Sequence, residues 1–133
     1  MNNIADVFLG GTCNNSQWRE IIKPLLHKSF FDPVVPNWSP ECQSEELRQR
    51  QDCQFCLYAI TPRMTGVYSV AEVIDDSNKR PAHTVFVPLL IDDELSFTAP
   101  QWKSLQAVAA MVERNGGHVF YSLQEAAEYI NSK

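Results

Sequence analysis

Glu72 is the residue whose type and position point most directly to chemistry in this sequence. It follows an apolar stretch typical of a buried strand, residues 55–60, and falls in the first turn of a helix predicted to begin at Ser69. The unpaired N–H groups of a first helical turn favour an ionised carboxylate, which can act as a nucleophile or a base. The spacing Ser69-x-x-Glu72 is also that of a capping box, in which the glutamate only accepts a hydrogen bond from the serine N–H. On spacing alone, the capping interpretation is favoured.

A loop with two glycines, residues 10–15, is the second place where chemistry is expected. Gly10, Gly11 and Thr12 follow a short β-type run at 6–9 and precede a helical pattern. Glycines let the backbone approach a ligand closely, and the helix start behind them presents free N–H groups to an anion or a sugar oxygen. The loop is neither a dinucleotide fingerprint nor a Walker motif. A tight strand-to-helix turn is the structural alternative, but the position after the first strand of the predicted sheet favours a ligand role.

Two further candidates each have a simple structural explanation beside the functional one. Trp38 lies in a loop between prolines, where it would stack on a planar base or fill a gap beside the sheet. Asp52, just before the 55–60 stretch, would orient a sugar hydroxyl or form a solvated end of a helix. For Asp52 the solvated helix end is favoured, because most aspartates are exposed.

The four cysteines give a weak indication of metal or redox chemistry. Cys53-x-x-Cys56 has the spacing of a zinc or dithiol motif, but no histidine lies near it in the sequence. Cys56 also falls inside the apolar stretch 55–60, where it is expected to be a small buried hydrophobe. No metal site and no cofactor are therefore expected.

The elements that must position these residues alternate between strand and helix along the whole chain. Strands are predicted at 6–9, from 30 onward, and at 55–60, 84–90 and 118–121. Helices are predicted at 16–26, with a kink or an early end at Pro24, and at 39–52, 69–78, 98–115 and from 122, with a turn-rich excursion at 91–97. Strict alternation with short connections predicts a parallel sheet with helices on both faces. We expect an α/β flavodoxin-like three-layer sandwich with five strands in the order 2-1-3-4-5, and ligand chemistry at the carboxyl ends of the strands.

Length and composition restrict the classes of protein that this chain fits. A chain of 133 residues forms one domain, so residues 1–133 are taken as a single unit. With a net charge of −5 and no cluster of Lys and Arg, polymeric nucleic acid and anionic membranes are poor partners. The longest apolar run, residues 85–91, is too short to span a membrane, and the first residues lack the basic region of a signal peptide. A soluble cytoplasmic protein is expected.

Three stretches together resemble the nucleoside 2-deoxyribosyltransferase-like family. They are Val7-Phe8-Leu9-Gly10-Gly11-Thr12, then Phe31-Asp32-Pro33-Val34-Val35 with Trp38 and Pro40-Glu41-Cys42, and then the long block from Tyr58-Ala59-Ile60-Thr61-Pro62 through Met64-Thr65-Gly66-Val67-Tyr68-Ser69-Val70-Ala71-Glu72. The resemblance covers about residues 5–90 directly and the last third by pattern. It implies a flavodoxin-like fold and an enzyme that cleaves the N-glycosidic bond of deoxyribonucleosides.

The resemblance also implies roles for particular residues. Glu72 would be the nucleophile that attacks C1′ of the deoxyribose, forming a glycosyl ester from which water or a second base collects the sugar. Tyr68 and Asp52 would fix that carboxylate or the sugar. The substrate, a small-molecule nucleoside or nucleotide, would be held by Gly10, Gly11, Thr12, Trp38, Met64, Thr65, Gly66 and Ser69, with Arg63 and the Ser69 helix start as phosphate contacts.

The sequence departs from the family in two ways that keep alternatives open. The transferases place a second acid shortly before the nucleophile, but Met64-Thr65-Gly66-Val67 contains none. Family members complete the site with C-terminal residues of a neighbouring subunit, for which residues 128–133 show no equivalents. A homo-oligomer is expected from the resemblance, with the polar helix at 41–52 or the segment 97–111 as contacts. A transferase, a hydrolase, and a non-catalytic nucleotide-binding or sensing module all fit.

Overall fold

Strands and helices alternate from Val7 to Asn131 in a computed structural model that describes residues 3–13 and 15–133. The strands are β1 (Val7–Gly11), β2 (Phe30–Phe31), β3 (Phe55–Ile60), β4 (Thr84–Pro88), β5 (Ile91–Asp92), β6 (Leu95–Ser96) and β7 (His118–Val119). The α-helices are α1 (Trp18–Ile22), α2 (Pro40–Asp52), α3 (Tyr68–Lys79), α4 (Ala99–Arg114) and α5 (Leu123–Asn131). Asn14, in the predicted glycine loop, lies outside the described residues.

Five of the strands form one parallel sheet in the order β2-β1-β3-β4-β7. This confirms the predicted α/β flavodoxin-like architecture, including the position of the first strand between the second and the third. The turn-rich excursion contains an antiparallel hairpin, β5–β6, that the sequence pattern did not predict. The hairpin follows β4 and so lies at the carboxyl edge of the sheet, the edge where parallel α/β folds bind ligands.

Helices cover both faces of the sheet, which explains why the central strands are apolar along their whole length. All residues of β1, β3 and β4 are buried, as expected for parallel strands packed on two sides. One hydrophobic core joins the sheet to α1 and α5, and a second core joins it to α3 and α4. The buried residue of α2 is a glutamine rather than an apolar residue. The side chain of Gln49 accepts a hydrogen bond from the Ala5 N–H at 2.9 Å.

Local sequence signals account for most helix ends. Pro24 lies in a 3-10 turn directly after α1, so the predicted early end of that helix is confirmed. Ser39 caps α2 through the N–H of Cys42, and Thr98 forms a complete capping box with Gln101 at the start of α4. In the described part of the chain, every helix is too short or too polar to cross a membrane.

β1 is longer than the sequence predicts, because its two glycines belong to the strand. The predicted strand ended at residue 9, whereas the pairing with β3 continues to Gly11, opposite Ala59. A β-carbon on Gly10 would lie 2.6 Å from the ring of Tyr58, and one on Gly11 would lie 2.1 Å from the carbonyl oxygen of Ala59. These glycines therefore allow two strands to approach closely at the sheet edge.

Candidate functional site

The start of α3 shows that Glu72 does not cap its own helix. The helix begins at Tyr68, one residue earlier than predicted, with Val67 at the N-cap position and no side-chain capping bond. Ser69 is therefore already inside the helix, and the capping-box interpretation of Ser69 and Glu72 is wrong. The same Ser-x-x-Glu spacing does form a cap at α5, where the Ser122 hydroxyl accepts from the Glu125 N–H and donates to the Glu125 carboxylate.

The Glu72 carboxylate instead faces α2, at the edge of a cavity of about 200 Å³ lined by Arg50, Tyr68, Ala71, Glu72 and Asp75. Only 12% of the Glu72 side chain is exposed, and its Oε2 lies 3.6 Å from the Arg50 Nε. Burial raises the pKa of Glu72 to about 7; Arg50 acts to lower this pKa, while Glu46 and Asp76 raise it further. A carboxylate of this kind changes its charge near neutral pH, which is typical of groups that transfer protons or attack electrophiles.

Arg50 is held in place by groups other than Glu72. Its Nε and Nη2 contact the two carboxylate oxygens of Asp76 at 3.3 and 3.0 Å, and the Tyr58 hydroxyl accepts from Nε at 2.9 Å. The Tyr58 hydroxyl in turn donates to Asp76 at 2.5 Å, because burial raises the pKa of Tyr58 and keeps it protonated. A buried tyrosine and a buried aspartate thus fix a cation beside Glu72.

A second cavity adjoins the first at the carboxyl ends of β1 and β3. It has a volume of about 120 Å³, and Tyr68 at the start of α3 lines both cavities; the two cavities together are called the cleft below. The lining brings together six of the predicted binding residues, from two loops: Gly11, Thr12, Met64, Thr65, Gly66 and Ser69. Cys13, Ile60 and Tyr68 complete it.

The shape of the glycine turn is fixed by hydrogen bonds from α1. The buried Arg19 side chain donates to the carbonyl oxygens of Leu9 and Thr12, and the indole of Trp18 donates to the Thr12 carbonyl at 2.8 Å. The Thr12 hydroxyl accepts from the Thr61 N–H at 3.0 Å and so joins the two loops that border the smaller cavity. Gly10 lies beneath this turn, buried against Tyr58, and supports it without facing the cleft.

Besides Gly10, three of the predicted site residues line neither cavity of the cleft as the described residues define it. Trp38 is 62% exposed in the loop before α2 and lines neither cavity. Asp52 is the exposed last residue of α2, just before β3, and therefore lies at the opposite edge of the sheet. The guanidinium of Arg63 contacts three carboxylates of the β5–β6 hairpin, those of Asp92, Asp93 and Glu94.

Two residues that the sequence did not single out belong to the site, Glu46 and Arg50. Both lie on α2, four residues apart and thus on one face of the helix, and burial raises the pKa of Glu46 against the effect of Arg19 and Arg50. The sequence indicated only that α2 is polar enough to flank a site or a subunit contact. The partners of Arg50 belong to β3 and α3, so sequence spacing alone could not identify this site.

The cysteines show no metal-binding arrangement. All four are free thiols, and Cys53 and Cys56 are buried, as predicted for Cys56. Burial raises the pKa of both thiols to about 12, which keeps them protonated and unreactive. Within residues 3–13 and 15–133, no group of three or more His, Cys, Asp and Glu side chains is placed to hold a metal ion.

Comparison with known proteins does not assign this chain to a family. The chain has no significant match among protein-family models, curated proteins or solved structures.

Proposed function

We propose that this chain cleaves the N-glycosidic bond of a nucleoside or nucleotide, as a deoxyribosyltransferase or a hydrolase, with Glu72 as the nucleophile. The observation that carries the proposal is the orientation of Glu72. Its carboxylate does not cap the helix. It lies instead at a cavity beside the guanidinium of Arg50, and its pKa is raised to about 7. The sequence around Glu72 is also the longest part of the resemblance to the deoxyribosyltransferase-like family.

The reaction would take place in two displacements at the same carbon. An Oε atom of Glu72 forms a bond to C1′ while the C1′–N bond breaks, and its electron pair leaves with the base, which takes up a proton. Water or a second base then attacks C1′, loses a proton, and releases Glu72 as a carboxylate. Both transition states resemble an oxocarbenium ion, which a nearby negative charge stabilises.

The cleft offers a place for each part of such a substrate. In this proposal the sugar lies against Glu72 and Tyr68, and the base occupies the adjoining cavity between the glycine turn and the loop after β3. The second acid that the 64–67 loop lacks would come from α2, since Glu46 is close enough for its charge to raise the pKa of Glu72. No step of this chemistry requires a metal or an organic cofactor.

A second candidate function is a module that binds or senses a nucleotide without turning it over. The observation in its favour is that Trp38 and Arg63, expected to contact the base and a phosphate, line neither cavity of the cleft formed by the described residues, and that Arg63 pairs with hairpin carboxylates instead. Such a module would bind its ligand with or without an ionisable group at position 72.

A product assay separates these functions. The protein is incubated with deoxynucleosides, ribonucleosides and their monophosphates, with and without a second free base, and the products are separated by chromatography. A new nucleoside that depends on the added base identifies a transferase, and free base without exchange identifies a hydrolase. Glu72→Gln should abolish either product. The matched control is Glu125→Gln, the same substitution at a glutamate whose carboxylate accepts a hydrogen bond from Ser122, the N-cap of α5.

Retained binding without turnover would support the sensing module and contradict the enzymatic proposal. Titration calorimetry with each ligand of the panel measures binding in the wild type and in Glu72→Gln. Turnover by Glu72→Gln at the wild-type rate would contradict the role of Glu72.

A further inference from the structure

We propose that Arg50 is the positioning residue of this site, a cation anchored on Asp76 that supports negative charge on Glu72 while leaving that carboxylate free to react. This inference rests on the proposed function, because it assigns Arg50 a role through Glu72. The supporting observation is an asymmetry in how one guanidinium contacts its neighbouring carboxylates.

Arg50 forms two hydrogen bonds with Asp76 but only an ion pair with Glu72. Two of its nitrogens contact the two Asp76 oxygens at 3.3 and 3.0 Å, the bidentate arrangement that fixes a guanidinium most firmly. Nη2 also lies 3.2 Å from Asp75 Oδ2. The contact with Glu72 Oε2 is longer, at 3.6 Å, and is an ion pair without a hydrogen bond. A nucleophilic oxygen that is not hydrogen-bonded to its supporting cation keeps its lone pairs available for attack.

The anchor also explains how the site tolerates the loss of charge on Glu72. When Glu72 becomes a neutral ester, a cation paired only with Glu72 would be left without a partner in a partly buried site, which is costly. Arg50 instead remains balanced by Asp75 and Asp76, and the Tyr58 hydroxyl still accepts from its Nε. The guanidinium therefore need not move between the free and the ester form.

The charges around Glu72 determine in which direction the loss of Arg50 should shift the pKa of Glu72. Glu46 from α2 and Asp76 from α3 both raise the pKa of Glu72, and Arg50 is the cation that opposes them. Removing the charge of Arg50 must therefore make Glu72 harder to ionise. Arg80 also contacts Asp76 Oδ1 at 3.3 Å, so the buried Asp76 keeps one cation in such a variant.

The titration of Glu72 tests this inference without any substrate. Glutamate labelled with ¹³C at the side-chain carboxyl is followed by NMR from pH 4 to pH 10, and the Glu72 signal is identified by its absence in Glu72→Gln. We expect the midpoint to rise by about one unit in Arg50→Gln. Arg50→Lys keeps the positive charge but not the bidentate contact with Asp76. The Glu72 midpoint in this variant should therefore lie between those in Arg50→Gln and the wild type.

Arg48→Gln is the matched control, because Arg48 lies on the same helix and pairs with Glu45. Its Glu72 midpoint should equal that of the wild type. If Arg50→Gln and Arg50→Lys both keep the wild-type midpoint, the inference is overturned. Should Arg50→Gln not fold, Arg50→Lys alone decides: a midpoint equal to that of the wild type overturns the inference, and a raised one supports it.

A pH profile of turnover then separates positioning from a general loss of structure. A midpoint raised by one unit lowers the ionised fraction of Glu72 about fivefold at pH 7 and hardly at all at pH 9. Arg50→Gln should therefore lose about fivefold in kcat/KM at pH 7 and recover at pH 9, whereas structural damage would lower the rate equally at both. If the midpoint moves but no variant or wild type turns over any nucleoside, the enzymatic proposal fails while Arg50 still controls the charge of Glu72.

Discussion

Burial and two nearby carboxylates oppose the ionisation of Glu72, and Arg50 is the group that favours it. A residue chosen for stability alone would not be a glutamate here, since an uncharged side chain would avoid the conflict. Groups with such conflicting surroundings concentrate at functional sites, because chemistry needs a charge where folding disfavours one. The Ser122–Glu125 pair shows the alternative, a glutamate whose carboxylate only supports the serine that caps its helix.

This conflict predicts that Glu72→Gln is more stable than the wild type at alkaline pH. The folded-state pKa of Glu72, about 7, lies above the value of 4.5 for an unperturbed glutamate. The folded state therefore binds more protons than the unfolded state between these values, and wild-type stability falls as the pH rises through this window. The variant lacks this loss. Because solvent in the open cavity screens the charge, we expect a gain of about 1–2 kcal/mol at pH 8.

Urea unfolding at pH 8 and at pH 4.5 measures the difference. The gain should be present at pH 8 and should largely disappear at pH 4.5, where Glu72 is protonated in the folded state and half protonated in the unfolded state. Glu125→Gln should show no gain at pH 8. Equal stability of the wild type and Glu72→Gln at pH 8 would mean that the Glu72 carboxylate is well solvated or fully paired in the folded protein.

At the scale of elements, the site depends on how closely β1 approaches β3 at their carboxyl ends. Gly11 adopts a φ of +116°, and a β-carbon there would lie 2.1 Å from the Ala59 carbonyl oxygen. Gly11→Ala must therefore separate the strands or break the turn, and we expect it to cost about 3 kcal/mol or more. Thermal and urea unfolding of the purified variant measure this cost.

Gly66 provides the matched control for this glycine. It also borders the smaller cavity, but within the described residues nothing lies within 4 Å of a β-carbon placed on it. Gly66→Ala should change the free energy of unfolding by less than about 0.5 kcal/mol. If Gly11→Ala were as stable as Gly66→Ala, the close pairing of β1 and β3 would not extend to the turn.

The elements themselves were largely predictable, because local signals determine them. Continuous apolar strands and strict alternation predicted the parallel sheet and its order, and Pro24 predicted the early end of α1. The β5–β6 hairpin was missed because each strand has only two residues, too few for a periodic pattern. The start of α3 was misplaced because Ser69-x-x-Glu72 has a capping pattern that tertiary contacts override.

The candidate site was less predictable, because its contacts join residues far apart in sequence. Glu72 could be identified by motif, but Arg50, 22 residues earlier, becomes part of the site through the contacts of its side chain with α3. Trp38 and Asp52 were proposed from their type and neighbours, and their distance from the cleft follows from where α2 begins and ends.

At the scale of the whole molecule, the cleft is built on one of the two faces of the sheet. Glu72, Arg50 and Asp76 belong to α2 and α3, which lie on the face that carries the Phe8, Tyr58 and Val73 core. The opposite core, formed with α1 and α5, contributes to the free energy of folding, and α1 contacts the cleft through the glycine turn. Both cores should therefore contribute to the free energy of unfolding, whereas the pKa and reactivity of Glu72 should depend mainly on the core beneath α3.

Two valine-to-alanine substitutions of equal burial test this division. Val73, on α3, and Val85, on β4, are both fully buried, but Val73 packs in the core beneath α3 and Val85 packs in the core on the α5 side. Each substitution should cost about 1–3 kcal/mol in urea unfolding. Only Val73→Ala should shift the NMR titration midpoint of Glu72 and lower nucleoside turnover, because the smaller side chain changes how α3 packs against the sheet. A Glu72 midpoint that moves equally in both variants would show that the two faces do not act independently on the site.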